Sequence, residues 1–237
     1  HATGLRKAGC TYVWMGVECG DQDVARTILE RNLPNTAILE ACARLRANRI
    51  KVITQNLIGL PVKNPLEVDL KTLDLNIAIR PHYAWSSILY PYPATKIGAY
   101  AFEQGYLLPG REKVQVSNKS TSSLDFKDEV LRRKIVNLHK LFGVIVQFPF
   151  LRRHTDFLIT LPLTRVYTYI FFLLYGYKLV WCNASWKERR ANILNYAKFF
   201  FSYVSRLEKT QSFSGGVAKD PSASEKDRST PTCTRQP

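Results

Sequence analysis

Three short apolar runs, each stopped by a turn and separated from the next by a helical pattern, constrain this chain more than any other feature. They are Thr11 to Val17, Ile50 to Ile58 and His82 to Tyr90. The first is rich in β-branched and aromatic residues and lies between Gly9 and Gly20, which reads as a strand apolar on both faces. Gly59-Leu-Pro61 breaks the second run, and Pro91-Tyr-Pro93 prevents continuation of the third. Strand–helix–strand–helix–strand with short links predicts parallel pairing through right-handed crossovers.

The intervening helices carry their own punctuation. Asp21 is placed to cap a short helix through Glu30. Asn35 is the expected cap of the next, whose apolar stripe is Ile38, Cys42 and Leu45 with Leu39 beside it. Arg44, Arg46 and Arg49 crowd its far end, where the helix dipole favours positive charge, and Asn48 is expected to take the left-handed turn. Asn64-Pro-Leu-Glu67 is a strong helix start, followed by a predicted core face of Leu66, Leu70, Leu73 and Ile77. Ala94-Thr95 opens a further helix that runs to Gln104 and stops at Gly105.

Ligands of parallel α/β sheets gather at the carboxyl ends of the strands. Glu18, Gln55, Asn56 and Tyr90 all fall there, which singles them out on topology alone. Pro109 to Phe126 is polar and predicts a loop; Asp128 to Phe142 returns to helical spacing through Val130, Ile135, Leu138 and Phe142. The aromatic region Phe157 to Trp181 has no charge-free stretch long enough to cross a bilayer. Two readings stay open for it: helices packed on the sheet, or an interfacial anchor with basic rims. Lys209 to Pro237 has the composition of a disordered tail.

The net charge is +15, from 34 basic and 19 acidic residues, and most of the excess follows Gly110 in runs such as Arg132-Arg-Lys134, Arg152-Arg153 and Arg189-Arg190. Such a surface attracts anionic partners, unless it is simply a solvated helical face. The five cysteines (Cys10, Cys19, Cys42, Cys182, Cys233) include no CxxC pair, so reduced thiols in a cytoplasmic protein are expected, and the Asn-x-Ser sequons at Asn118 and Asn183 are accidental. Position 1 is His and the single Met is Met15, so the chain is expected to begin inside a longer protein.

Three turn motifs carry a family likeness. Gly16-Val-Glu-Cys-Gly-Asp21 resembles the fourth-strand Gly-Val-Glu-Ser-Gly of radical S-adenosylmethionine (SAM) enzymes. Asn56-Leu-Ile-Gly-Leu-Pro61 resembles their fifth-strand motif, and Tyr90-Pro-Tyr-Pro-Ala-Thr95 their sixth-strand Tyr-Pro-Tyr-Pro-Gly-Thr. Leu161-Pro-Leu-Thr-Arg165 and Tyr175-Gly-Tyr177 also look like the carboxyl-terminal region of the cobalamin-binding subgroup. The likeness runs from about Gly4 to Leu108.

The resemblance implies the carboxyl-terminal half of a partial (β/α)6 barrel over residues 1–108, a helical aromatic and basic region over 109–208, and a tail over 209–237. It implies a protein that, in full, uses SAM, a 4Fe-4S cluster and cobalamin for methyl transfer or ring chemistry on a small or anionic substrate. Cofactors supply that reactivity, while the protein orients them and excludes water. On the same basis Glu18 would contact polar atoms of SAM, unless it is a structural carboxylate beside the Asp21 cap. Gln55 or Asn56 would bond the ribose or adenine. Ile58 and Gly59 would form a wall against the adenine, and Tyr90, with Tyr92, would line the substrate side.

Departures are as specific as matches. No Cys-x3-Cys-x2-Cys motif occurs, so this chain does not ligate the cluster, needs a missing amino-terminal half, and is expected to be inactive alone. Val62 and Lys63 stand where Gly and Glu are usual, Ala94 replaces a Gly, and Arg49 replaces the Gly common before the fifth strand. Cys19 stands where Ser is common; a lone Cys there is expected to be inert. The non-enzymatic alternative is a diverged remnant whose carboxyl-terminal region contacts anionic membrane or a partner protein. With no recognisable RNA-binding module, nucleic acid is not an expected partner.

Overall fold

A parallel sheet of order β1-β2-β3 organises the chain: β1 spans Tyr12–Glu18, β2 Lys51–Ile58 and β3 Tyr83–Ile88. In this computed structural model the described residues are 1–92, 94–107, 124–126 and 128–181. They belong to one compact unit, residues 1–189. The expected tail, the helical region beyond 181, Arg189-Arg190, Cys182, Cys233 and most of the 109–126 loop lie outside them.

The predicted parallel pairing is what the structure shows. Trp14 aligns with Ile53 and Ile53 with Tyr83; Gly16 aligns with Gln55 and Gln55 with Trp85. After Gly16 the register of β1 slips, so that Glu18 faces Asn56. Around the strands lie α1 (Ala2–Lys7), α2 (Gln22–Thr27), α3 (Asn35–Ala47), α4 (Pro65–Ile79) and α5 (Lys96–Glu103). Then come α6 (Glu129–Gln147), a 3-10 turn at Pro149–His154, α7 (Thr155–Thr160), α8 (Thr164–Tyr175) and a π-helical turn at Gly176–Trp181. The architecture is thus mixed α/β about a three-stranded parallel sheet.

One sheet face is covered by helices. Val17 and Val52 pack with Ile38, Cys42 and Leu45 of α3 and with Leu75 and Ile79 of α4. Ile58, Ala84 and Ile88 pack with Leu73 of α4 and with Ile135, Leu138, Phe142 and Ile145 of α6. That second core joins residues on both sides of the expected boundary at 108. Helix α8 closes over β3, with Phe171 and Tyr175 against Trp85 at 6.0 and 5.1 Å between ring centroids. Packing against the sheet therefore holds for one face of the aromatic region. Among the described residues no helix is long and apolar enough to cross a membrane.

Several local expectations hold. Asp21 caps α2, accepting from the amides of Asp23 and Val24 at 3.1 and 3.0 Å. Thr95 opens α5 as expected and caps it through the Gly98 amide; Asp128, not singled out as a cap, caps α6 through the Val130 amide. Others need correcting. Asn35 is the first helical residue of α3 rather than its cap, because its side-chain amide donates to the Gly20 carbonyl at 2.8 Å. Asn48 keeps a negative φ and bonds the Arg44 carbonyl; the left-handed residue is Arg49, at φ 57°. Asn64 precedes α4 but makes no side-chain cap.

Helix α4 departs most from its sequence reading. It is buried on several sides: Leu66, Leu70 and Ile77 turn to the α6 side, Leu75 and Ile79 to the α3 side. Between those flanks runs a buried polar seam, Asp69, Thr72 and Asn76, at helical spacing. Its anchor to β1 is a close approach at Gly20, whose amide donates to Thr72 Oγ1 at 2.9 Å. A Cβ at Gly20 would sit 2.6 Å from Thr72 Cα, so only glycine fits there.

Candidate functional site

Alternation along β2 decides which predicted residues can meet a ligand. Thr54, Asn56 and Ile58 point into the helix layer, whereas Gln55 lies on the opposite face and is exposed. Asn56 is 1% exposed. Its side-chain amide donates to the Trp85 carbonyl at 2.7 Å, and its oxygen accepts from Asn76 Nδ2, also at 2.7 Å. Thr54 donates to Asn76 Oδ1 at 2.6 Å, and Asn76 donates back to the Thr72 carbonyl at 2.9 Å. These contacts satisfy a buried polar knot that fastens β2 to α4. Asn56 thus serves the scaffold between β2 and α4.

Ile58 and Gly59 sit in the same layer. Ile58 is fully buried with Leu73 and Ile135 on the helix side, so it offers no wall to a ligand on the other face. Gly59 has φ 67°, and the place a side chain would take is bounded by Ile135, Phe126 and Ile88. Its amide donates to both carboxyl oxygens of Asp69, at 2.9 and 3.1 Å. Burial raises the Asp69 carboxyl well above the ordinary range, an effect the Gly59 amide only partly offsets. Tyr90 is buried against Tyr92, with ring centroids 5.1 Å apart.

Glu18 behaves differently. The register slip puts it in the left-handed region at φ 64°, a conformation that disfavours a residue with a Cβ. Its carboxylate folds back over Gly16: a Cβ on Gly16 would lie 2.7 Å from Glu18 Oε1. Because Gly16 is the register partner of Gln55, the Glu18 carboxylate lies over the face that Gln55 shares. Arg31 fixes the arrangement, donating to the Gly16 carbonyl at 2.8 Å with Nη1 3.7 Å from Glu18 Oε1. Burial pushes the Glu18 carboxyl up, and the Arg31 guanidinium pulls it partly back. The helix cap belongs to Asp21, so Glu18 is not needed for that purpose.

The open face continues through residues the sequence reading did not single out. Trp85, next to Gln55 in register, donates its indole N–H to Ser87 Oγ at 2.9 Å. Trp14 and Tyr12 on β1 are each 44% exposed. The signal for all of them was present: in parallel pairs the residues that share a rung share a face, so Gln55 identifies Gly16 and Trp85. Together Glu18, Gln55, Ser87 and Trp14 offer an acceptor, an amide and a flat apolar surface, while Trp85 is taken up by Phe171 and Tyr175.

Cys19 lies within the fold as expected for an inert thiol. It is 2% exposed, its Sγ lies 3.5 Å from the Asp21 carbonyl, and burial pushes the thiol up to about 11. Among the described residues no group of three His, Cys, Asp or Glu side chains is placed to hold a metal. A cavity of about 230 Å³ near the tip of β2 is lined by Leu60, Val62, Lys63, Tyr106, Asp125 and Phe126, and none of the six predicted site residues reaches it. A scan against protein-family models gives no match, and comparison with curated proteins gives none either.

Proposed function

We propose that this chain is the carboxyl-terminal half of a radical SAM-type barrel, with the open sheet face as the wall that holds the nucleoside end of SAM. The observation that carries the reading is Glu18: a left-handed carboxylate brought over Gly16 onto the face that Gln55 shares. Strain of this kind, costing of order 1–3 kcal/mol, persists where a side chain must be presented in one direction. Glu18 suits ribose hydroxyls or an ammonium group, Gln55 offers both donor and acceptor to a base edge, and the exposed Trp14 supplies a surface for stacking. The absence of a side chain at Gly16 is what lets the Glu18 carboxylate lie there.

The fit is partial. The described cysteines do not suit a cluster: Cys19 and Cys42 are buried packing thiols, and burial raises both. No step of the chemistry is therefore assigned to a cluster held by this chain. Strand β1 is at the sheet edge, where the first half of a barrel would pair. What these residues do in the reading is bind and orient a nucleoside; electron transfer and cobalamin chemistry belong to the missing half. Titration of the full chain with SAM or 5′-deoxyadenosine, followed by saturation-transfer NMR, tests it. Saturable binding that Gln55→Ala and Glu18→Ala both weaken supports it; absence of binding, or binding indifferent to both changes, removes it.

A second reading has its own observation. Helix α8 is apolar on both sides: Tyr167, Phe171 and Phe172 are buried, while Val166, Tyr169, Ile170 and Leu173 form an exposed stripe. A helix apolar all round normally has something on each face. Phe148, Phe150 and Phe157 are exposed as well, with Arg153 between them in sequence, and these features suit peripheral contact with an anionic membrane.

A further inference from the structure

At the opposite end of the sheet, where β2 and β3 begin, lies a cavity of about 390 Å³ that the nucleoside reading does not use. Its wall carries Arg46, Arg49, Lys51, Arg80, His82 and Lys178, and no carboxylate. Its floor is apolar, formed by Ile50, Val52 and Ile79, all nearly or fully buried. A low-dielectric floor beneath five cations focuses positive potential into the hollow. We propose that this cavity binds a phosphate-bearing anion of at least two negative charges, either as a free small molecule or as a lipid headgroup.

Backbone geometry supports this independently of charge. Arg49 follows α3 at φ 57° and Arg80 ends α4 at φ 53° with ψ 57°. Both occupy the left-handed position after a helix, where glycine is the low-energy residue. Arginine at either costs stability, and both side chains line this one cavity. Arg46 holds the second of them in place, donating to the carbonyls of Ile79 and Arg80 at 2.7 and 3.1 Å. His82 completes the wall. Its Nε2 is buried with no hydrogen-bond partner among the described residues.

A phosphomonoester or pyrophosphate matches this wall: compact, multiply charged, and rich in acceptors for guanidinium forks. The site is separate from Glu18 and Gln55, so either can fail without the other. The decisive variant is the double substitution Arg49→Gly and Arg80→Gly. It removes two of the five cations while relaxing both backbones, so lost binding cannot be ascribed to lost folding.

Calorimetric titration of the full chain with inorganic pyrophosphate, with thermal unfolding in parallel, gives the reading. Co-sedimentation with phosphatidylcholine vesicles, with and without a phosphatidylinositol phosphate, forms the second arm. Expected are saturable binding in one arm, weakened about tenfold for each arginine removed, and an unfolding midpoint that does not fall. Binding in solution identifies a free phosphate compound; binding only to the phosphorylated vesicles identifies a headgroup. No binding in either arm, or equal binding by the double variant, overturns the proposal.

Discussion

Residues 55 and 56 are neighbours on β2, yet the structure gives them opposite duties, and truncating each in turn tests the whole face assignment. Asn56→Ala removes the 2.7 Å bond to the Trp85 carbonyl and the 2.7 Å bond from Asn76. Each neutral bond is worth about 1 kcal/mol net, and a buried group left without a partner costs roughly 1–3 kcal/mol more. The Asn76 amide keeps the Thr72 carbonyl, so the main orphan is the carbonyl of Trp85. The sum is about 3–5 kcal/mol, a large part of the 5–15 kcal/mol typical of a domain. Gln55 is exposed, and Gln55→Ala is expected to cost less than about 0.5 kcal/mol. Urea unfolding of the full chain, followed by far-UV circular dichroism, then shifts by about 1–2 M for Asn56→Ala and hardly at all for Gln55→Ala. Ligand binding should show the reverse order. Equal shifts, or a cost below about 1 kcal/mol at Asn56, would mean the strand faces have been assigned the wrong way round.

Other outcomes follow from the same contacts. Glu18→Gly relaxes a left-handed residue and loses a distant ion pair, so calorimetry should show an unchanged or higher midpoint; a fall of more than about 5 °C contradicts the strain argument. The folded Asp69 carboxyl binds its proton more tightly than the unfolded one, so stability should fall as pH rises from about 4 through the raised value, and stay low above it. Asp69→Asn keeps an acceptor for Gly59 and should flatten that dependence; a persistent slope assigns it elsewhere. Anaerobic reconstitution of the full chain with iron and sulfide should give no 4Fe-4S absorbance, and its appearance would show that scattered cysteines suffice. Tyr169→Glu with Leu173→Glu should abolish flotation with anionic vesicles if α8 contacts membrane, and unchanged flotation removes that reading.

The parts of this fold that were legible in the sequence are those decided by neighbours in the chain. Strand positions, the Asp21 and Thr95 caps, and the Ile38, Cys42 and Leu45 stripe all rest on short-range patterns. The misplaced details depend on distant partners. Asn35 has the chemistry of a cap, yet the Gly20 carbonyl, brought near by the β1–α2 turn, takes its amide first. Asn48 tolerates a left-handed turn, yet it bonds back to Arg44 and passes that conformation to Arg49. On α4 the leucines at 66, 70 and 73 suggested one apolar face, while the polar seam at 69, 72 and 76 marks the side fastened to β1 and β2.

The same distinction explains the candidate site. Topology alone brought the strand tips forward, and Glu18 and Gln55 share one face there, because a register slip turns the carboxylate onto the face where alternation had already placed the amide. Asn56 sits at the same height but one residue along, and a period of two sends it into the helices. A polar residue at a strand tip is thus ambiguous until its face is known. In this chain the face is set by which neighbour can complete its hydrogen bonds. Asn56 finds Asn76 and the Trp85 carbonyl inside the sheet–helix layer; Gln55 looks outward, to whatever the open face receives.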